Sequence, residues 1–421
     1  YSTKAYPLAT PLSSLAIDPL GKWVAAYAGD AKHATFVENP NEIVFVDLQP
    51  GANQDQPIDR TLRSFGGTPQ RLTFSPTLQL PSGPRRLLVV ETSQDVSLLD
   101  LDHLHDATPR PEITVRLTNG DATSPTLSPA GIVIDDGDPA NTADSRVGVR
   151  LANDNNVVTL TLGAVPADQT PVPPNDFTPT LNLTDVGGIA SDIAFVRTDG
   201  GIRLAALVPS AAKATLVDPD TSLTTDVALP DSYQHLSLIT QIVGTPGNDD
   251  VALLYGANDG SKGVAFWALG ETSGTPYRSV EALGIQASVS SVLSVPAPNQ
   301  QLKVLQSNGN AFYVLNLVSR TAAPLTTLGS ATLTLSDDGQ RVWAFQAGTE
   351  NLASVSLDTV HAVPLVLDRA ISAVYDVARA DNGKSLLAIH QGGALGVTVI
   401  DALAPDTATS RAYSGLLLEG L

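Results

Sequence analysis

The feature that most constrains this chain is a short β-meander that recurs along its length. The run Leu333–Asp358 has the pattern of a strand, a polar turn at Ser336–Gly339, a second strand, a small-residue turn and a third strand. The run Leu15–Tyr27 matches it almost position for position, with Asp18–Gly21 at the turn. A lone meander leaves an apolar face uncovered, so the copies are expected to stack on one another.

Units of this kind are spaced roughly 40 to 65 residues apart, as expected for four-stranded propeller blades with some long loops. The predicted units begin near residues 14, 69, 124, 189, 234, 288, 330 and 371. No long segment has the apolar spacing of an amphipathic helix. The sequence therefore predicts an all-β fold, a single β-propeller domain over residues 1–421 with four-stranded antiparallel blades. We expect eight blades, with seven as the alternative because the third and fourth units repeat most weakly.

The turns and the third strands of these units carry a family resemblance. The turns are Ser75-Pro76, Ser128-Pro129, Ser336-Asp337-Asp338-Gly339 and Asp381-Asn382-Gly383, and the third strands end in Val46-Asp47-Leu48, Leu99-Asp100-Leu101 and Ile400-Asp401. On these residues the chain resembles the YVTN-type and related WD-like bacterial β-propeller repeats. It lacks the Gly-His and Trp-Asp pairing of the WD-repeat class itself. The resemblance implies the fold and a secreted or cell-envelope setting in bacteria, but no activity.

Charge and composition exclude several kinds of partner and chemistry. The formal net charge of −19 disfavours nucleic acid and anionic lipid surfaces, which need clustered Lys and Arg. The absence of cysteine excludes disulfides, thiolate metal sites and cysteine nucleophiles. No apolar run is long enough to cross a bilayer, so we expect no direct membrane insertion. We expect an extracellular, periplasmic or outer-envelope location, with a signal or lipid anchor removed or outside this sequence.

Two segments offer side chains that could bind a metal ion. Asp135, Asp136, Asp138 and Asp144 lie in one acidic loop, and carboxylate oxygens suit Ca²⁺. The loop lacks the regular spacing of a calcium-binding loop, and Asp and Gly also form turns, so turn formation is the favoured interpretation. His103-Leu104-His105 is the one close histidine pair, and two ligands are fewer than a metal site needs.

The propeller prediction places one set of loops on a common face. Turns between the second and third strands emerge on the same edge as the connections between blades, and most are rich in Asn and Gly. This composition suits hydrogen bonding to a partner, but the same residues are favoured in hairpin turns. The predicted partner-binding residues are Asp30, His33, Asn153, Asp154, Asn155, Asn258, Asp259, Asn308, Asn310, Glu350, His390 and Gln391.

No nucleophile elbow, phosphate-binding glycine loop, zinc-protease motif or dinucleotide fingerprint occurs, and we assign no catalytic residue. The sequence therefore favours a non-enzymatic secreted or cell-envelope scaffold that binds a protein or glycan through its loop faces. One alternative is a propeller hydrolase, similar to lactonases, with a cation in the central channel. Another is a structural subunit of an envelope assembly.

Overall fold

The computed structural model describes most of the chain between residues 12 and 414. The described ranges are 12–29, 39–49, 56–64, 67–106, 112–118, 127–138, 140–170, 176–198, 201–228, 236–244, 250–257, 262–268, 277–279, 289–295, 299, 301–307, 311–319, 321–325, 331–336, 338–378, 384–390, 396–406 and 410–414. These residues form strands and two short 3₁₀ turns. None of the helices among them is long and apolar enough to cross a membrane.

The chain divides into two compact units, residues 1–249 with 269–275, and residues 250–268 with 276–421. Four complete sheets lie in the first unit. Sheet 1 contains β1 (Ser14–Ile17), β2 (Trp23–Tyr27), β3 (Glu42–Asp47) and β4 (Ile58–Thr61). Sheet 2 contains β5 (Pro69–Phe74), β8 (Leu87–Thr92), β9 (Asp95–Asp100) and β10 (Glu112–Arg116). Sheet 3 contains β11 (Pro129–Asp135), β12 (Arg146–Leu151), β13 (Asn156–Ala164) and β14 (Phe177–Asp185). Sheet 4 contains β15 (Asp192–Thr198), β16 (Gly201–Val208), β17 (Lys213–Val217) and β18 (Thr224–Ala228).

Three complete sheets lie in the second unit. Sheet 6 contains β23 (Val289–Ser294), β24 (Leu302–Ser307), β25 (Phe312–Asn316) and β26 (Thr321–Leu325). Sheet 7 contains β27 (Thr332–Leu335), β28 (Arg341–Phe345), β29 (Asn351–Ser356) and β30 (Ala362–Val366). Sheet 8 contains β31 (Ala373–Ala378), β32 (Lys384–His390), β33 (Gly396–Asp401) and β34 (Arg411–Ser414).

The strands of the fifth set belong to different compact units. The set contains β19 (Leu236–Gly244), β20 (Asp250–Ala257), β21 (Lys262–Ala268) and β22 (Tyr277–Ser279). β19 belongs to the first compact unit, whereas the other three strands belong to the second. The fold is an all-β propeller of four-stranded antiparallel blades, but it has seven blades, and the prediction of eight is wrong.

Three further elements lie outside this meander pattern. A small hairpin, β6 (Leu78–Leu80) with β7 (Gly83–Arg85), is inserted between the first two strands of sheet 2. The 3₁₀ turn η1 (Leu101–His103) follows β9, and η2 (Pro209–Ala211) joins β16 to β17. These insertions supply several of the polar contacts described below.

Apolar side chains between neighbouring sheets form the core of each unit. Alternation along a strand directs successive side chains to opposite faces, so each inner sheet contacts two neighbours. Leu88, Val90 and Leu99 pack with Trp23 and Phe45 of sheet 1. On the other face of sheet 2, Val89 and Leu98 pack with residues of sheet 3. In the second unit, equivalent clusters join sheet 6 to sheet 7 and sheet 7 to sheet 8.

The recurring polar turn lies between the first and second strands, as predicted. Gly339 N–H donates to the Ser336 carbonyl at 2.9 Å, and Gly339 has φ +63°, which glycine adopts without a steric penalty. In the equivalent turn of sheet 1, the N–H groups of Leu20 and Lys22 donate to the carboxylate of Asp18. These acidic residues therefore serve as turn formers.

Candidate functional site

The acidic loop uses its carboxylates inside the protein. Asp135 Oδ2 accepts from Gly137 N at 2.7 Å, and Asp144 Oδ2 accepts from Asp138 N at 2.9 Å. Asp138 Oδ1 accepts from Ala140 N at 2.9 Å. Each of these bonds lies within the loop and engages one oxygen of its carboxylate, whereas Asp144 Oδ1 is buried without a hydrogen-bond partner among the described residues.

Asp136 has a longer-range contact. Its Oδ1 accepts from Gln79 N at 2.6 Å and from the Ser145 hydroxyl at 3.0 Å, so the loop is bonded to the β6–β7 hairpin of sheet 2. Burial raises the pKa of Asp135 and of Asp144, although backbone N–H donors and nearby arginines oppose the shift. Among the described residues, no group of three or more His, Asp or Glu side chains could hold a metal ion. Through the bond from Gln79 to Asp136, the acidic loop connects sheet 3 to the hairpin of sheet 2.

The two histidines of the close pair contact different carboxylates. His103 Nδ1 lies 3.0 Å from Asp100 Oδ2 of its own sheet, and His105 Nε2 lies 3.2 Å from Asp47 Oδ2 of sheet 1. The His105 ring also packs against Trp23, with ring centroids 5.6 Å apart. Because the rings meet separate partners, the pair joins two sheets and does not converge on one ion.

Sequence reasoning missed a buried charge cluster beside this turn. Arg85 Nη1 donates to Asp100 Oδ2 at 2.7 Å, and its Nη2 donates to Asp176 Oδ1. The guanidinium also lies over the Phe177 ring, 5.7 Å from its centroid. Asp176 ends the Pro-rich loop of sheet 3, so one arginine of the β6–β7 hairpin holds parts of sheets 2 and 3 together. Only the Arg–Asp chemistry could have suggested this cluster, because 91 residues separate the partners.

The predicted partner-binding residues of sheet 3 divide into two kinds. Asn153 and Asn155 are exposed, whereas Asp154 is half-buried. Asp154 Oδ1 accepts from Asn156 N at 2.8 Å and from its side-chain amide at 2.5 Å, which makes Asp154 a turn former. The side chains that face solvent are the two asparagines.

The predicted partner-binding residues of the second unit also include both an exposed and a buried side chain. Glu350 is exposed at the end of the turn between β28 and β29. His390 is buried, with Nδ1 2.9 Å from the Ala370 carbonyl and Nε2 2.7 Å from the Thr398 hydroxyl. With both ring nitrogens engaged internally, His390 has a structural position. Seven of the predicted residues lie outside the described residues: Asp30, His33, Asn258, Asp259, Asn308, Asn310 and Gln391.

One surface on sheets 3 and 4 combines polar and apolar exposure, and we call it the Ile189 patch: Asn153, Asn155, Ile189 and Ser210. The side chain of Ile189 is 47% exposed in the connection between the two sheets. Val186 N donates to the Asn155 carbonyl at 2.9 Å, which fixes this connection beside the asparagine turn.

Close packing at a glycine fixes the other side of the patch. A Cβ atom at Gly188 would lie 2.7 Å from Val208 Cγ1 and 2.9 Å from the Ser210 hydroxyl. Only glycine lets the backbone approach η2 this closely. Ile189 is therefore held outward on a fixed backbone between two turns.

The chain matches no family model, and no curated protein matches it significantly. Its similarities are to solved structures of β-propeller and WD40 proteins. Dihydro-heme d1 dehydrogenase NirN, in complex with DHE, has 16% identity and a TM-score of 0.51, over 98% of this chain and 78% of that chain. The WD40 domain of SCAP from fission yeast has 11% identity and a TM-score of 0.51, over 91% of each chain. Sqt1 of Saccharomyces cerevisiae has 11% identity and a TM-score of 0.53, over 97% and 98%.

At these identities the similarity establishes the fold alone. The predicted resemblance to propeller repeats is confirmed at that level. The assignment to the bacterial YVTN type stays a prediction.

Proposed function

We propose that this protein is a non-enzymatic scaffold that binds a protein partner through the Ile189 patch. The observation that carries the proposal is the exposed isoleucine, fixed beside a turn whose two asparagines face solvent. Protein interfaces typically place an apolar anchor at the centre and polar groups around it. Turns on a rigid β-sheet framework are also common binding elements, since the framework limits the entropy lost on binding.

The arrangement favours a protein over a glycan. An aliphatic side chain gains free energy by burial in an apolar pocket, worth about 1.5–3 kcal/mol for a fully buried isoleucine. The asparagine amides at positions 153 and 155 can donate to and accept from a partner backbone. The predicted glycan-binding role has no comparable apolar requirement, and we retain it as an outcome of the test.

The test compares two charge substitutions in the same unit. Ile189→Asp places a carboxylate in the patch, while Leu223→Asp changes a side chain that is 70% exposed in the turn between β17 and β18, at the opposite edge of sheet 4. A photo-crosslinker at position 153 would identify the partner in cells that carry the gene. We expect Ile189→Asp to weaken binding of that partner by about tenfold or more and Leu223→Asp to leave it unchanged.

Several outcomes would contradict the proposal. Equal binding by both variants would exclude the patch as the docking surface. A crosslinked glycan in place of a protein would exclude a protein partner there. Catalytic turnover by the purified protein would favour the alternative of a propeller hydrolase with a bound cation.

We also propose a secreted or cell-envelope location in a bacterium, following the repeat resemblance. Fractionation of the source cells, with a cytoplasmic and a periplasmic marker protein as controls, tests this directly. Recovery with the cytoplasmic marker would contradict the location without affecting the binding proposal. Co-purification in a fixed ratio with envelope proteins would instead favour the structural-subunit alternative.

A further inference from the structure

A second charged pair, Arg71 and Glu91, lies in sheet 2 near the start of its first strand. Arg71 of β5 pairs with Glu91 of β8 across the sheet. Their side chains approach at 3.6 Å between Arg71 Nη1 and Glu91 Oε2. The Arg71 side chain is 57% exposed, whereas that of Glu91 is 4% exposed. The pair is therefore an exposed cation beside a buried anion.

This ion pair is incompletely satisfied. Glu91 Oε2 has no hydrogen-bond partner among the described residues, and its distance to Arg71 exceeds that of a charge-assisted hydrogen bond. Burial raises the pKa of Glu91, although the positive charges of Arg71 and Arg150 oppose that shift. A buried acceptor without a donor costs free energy, which a ligand that supplies the donor would recover.

The neighbouring backbone is shaped around this pair. The register between β5 and β8 shifts between Pro69 and Arg71, and the register between β11 and β12 shifts between Pro129 and Gly131. β-Bulges redirect side chains and are common beside binding sites. Arg150 of β12 donates to the Ala130 carbonyl at 2.5 Å and the Ala190 carbonyl at 3.4 Å. Its positive charge thereby lies near Glu91, whereas the Arg71 side chain is open to solvent.

We propose that Arg71 and Glu91 bind the head group of a free α-amino acid. The ligand carboxylate would bind the guanidinium of Arg71, and the ligand ammonium would donate to Glu91 Oε2. An α-amino acid carries both charges on one carbon, which suits two opposite protein charges that lie 3.6 Å apart. Bidentate pairing of a carboxylate with arginine is stronger than the present contact. The Arg71 side chain is 57% exposed, so a ligand carboxylate can reach its guanidinium from solvent.

This site is separate from the Ile189 patch and stands or falls independently of it. Neither anion binding alone nor amine binding alone satisfies both groups. A lone carboxylate would leave Glu91 without a donor and would be repelled by it. A lone amine would leave the Arg71 guanidinium in its present long contact. The combination of charges therefore determines the class of ligand.

Calorimetric titration of the purified full chain tests the proposal with matched probes. The panel is glycine, L-alanine, L-leucine and L-glutamate, with acetate and methylamine as probes that each lack one charge. We expect saturable binding of at least one amino acid and about tenfold or more weaker binding of acetate and methylamine. Arg71→Gln and Glu91→Gln should each weaken binding of the amino acid by about tenfold. Arg63→Gln changes an exposed arginine of the same unit and should keep the Kd for the amino acid within about twofold of the wild-type value.

The opposing outcomes are equally specific. Absence of saturable binding across the panel would overturn the proposal, provided that wild-type protein unfolds cooperatively. Equal binding of acetate and the amino acids would reduce the site to an adventitious ion only. Retained amino-acid affinity in Glu91→Gln, with an unchanged unfolding midpoint, would remove Glu91 from the site.

Discussion

Replacing Arg85 by alanine is expected to destabilise the first unit by about 3–5 kcal/mol, the usual cost of removing one partner from a buried ion pair. Arg85 is buried between Asp100 and Asp176, which are also buried. Removing the guanidinium would leave two carboxylates in a water-poor environment, where their charges are poorly solvated.

The two carboxylates would not be affected equally. Asp100 keeps other contacts, because its Oδ1 accepts from Asp102 N at 2.9 Å and its Oδ2 lies 3.0 Å from His103 Nδ1. Asp176 Oδ2 has no hydrogen-bond partner among the described residues, and its Oδ1 would lose Arg85. Most of the lost free energy should therefore come from Asp176. Neutralising Asp176 in the Arg85→Ala background should recover more stability than neutralising Asp100.

Urea unfolding at pH 7, followed by far-ultraviolet circular dichroism, measures this difference. The series is Arg85→Ala alone and then combined with Asp176→Asn or with Asp100→Asn. Arg63→Ala is the control, because that arginine is exposed in the same unit, and we expect a change within about 0.5 kcal/mol. A loss below about 1 kcal/mol for Arg85→Ala would refute the reasoning, since exposed ion pairs already account for that much. Equal rescue by both asparagine substitutions would refute the assignment to Asp176.

Two further predictions concern Asp18 and the acidic loop. Burial opposes ionisation of Asp18, but the bonds from Arg86, Leu20 and Lys22 outweigh it and hold its pKa below 3.8. The stabilisation by the ionised carboxylate is therefore complete above that pH and is lost as the pH falls through the lower folded-state pKa. In urea unfolding, Asp18→Asn should lower the free energy of unfolding by about 1–3 kcal/mol at pH 7 and by progressively less below pH 4. An equal loss at pH 7 and at pH 3 would contradict this reasoning. Calcium should not raise the thermal unfolding midpoint, because Asp135, Asp138 and Asp144 accept hydrogen bonds within their own loop. A bound calcium ion, at a calcium concentration 100 times its Kd, would add about 2.7 kcal/mol to the free energy of unfolding, and an increase of that size would contradict this assignment.

The local structure of the repeats could be predicted from sequence because it depends on near neighbours. Alternating apolar residues and a turn glycine specify a hairpin within about ten residues. The turn at Ser336–Gly339 confirms this, as do the aspartates that end third strands. Asp47, Asp100 and Asp401 each accept from the N–H group two residues later. These residues recur because the same turn recurs.

The blade count and the site depended on information that the sequence does not carry locally. β19 has strand character like any other, yet it belongs to a different compact unit from β20. His390 precedes a Gly-rich segment, which suggested exposure, but the neighbouring strand and Ala370 bury it and satisfy its ring. The Arg71–Glu91 pair consists of ordinary strand residues. Only the register between β5 and β8 places them side by side.

The outer strands limit where a partner can bind. An unpaired strand edge can add a strand from another chain unless proline or charge interrupts it. Every fourth strand carries one of these: Asp59 in β4, Arg116 in β10, Pro179 in β14, Asp226 in β18, Arg278 in β22, Pro324 in β26, Pro364 in β30 and Arg411 in β34. Proline donates no hydrogen bond, so it interrupts the ladder that an added strand would need. Strand addition at these outer edges is thereby disfavoured, which favours binding at turns and connections such as the Ile189 patch.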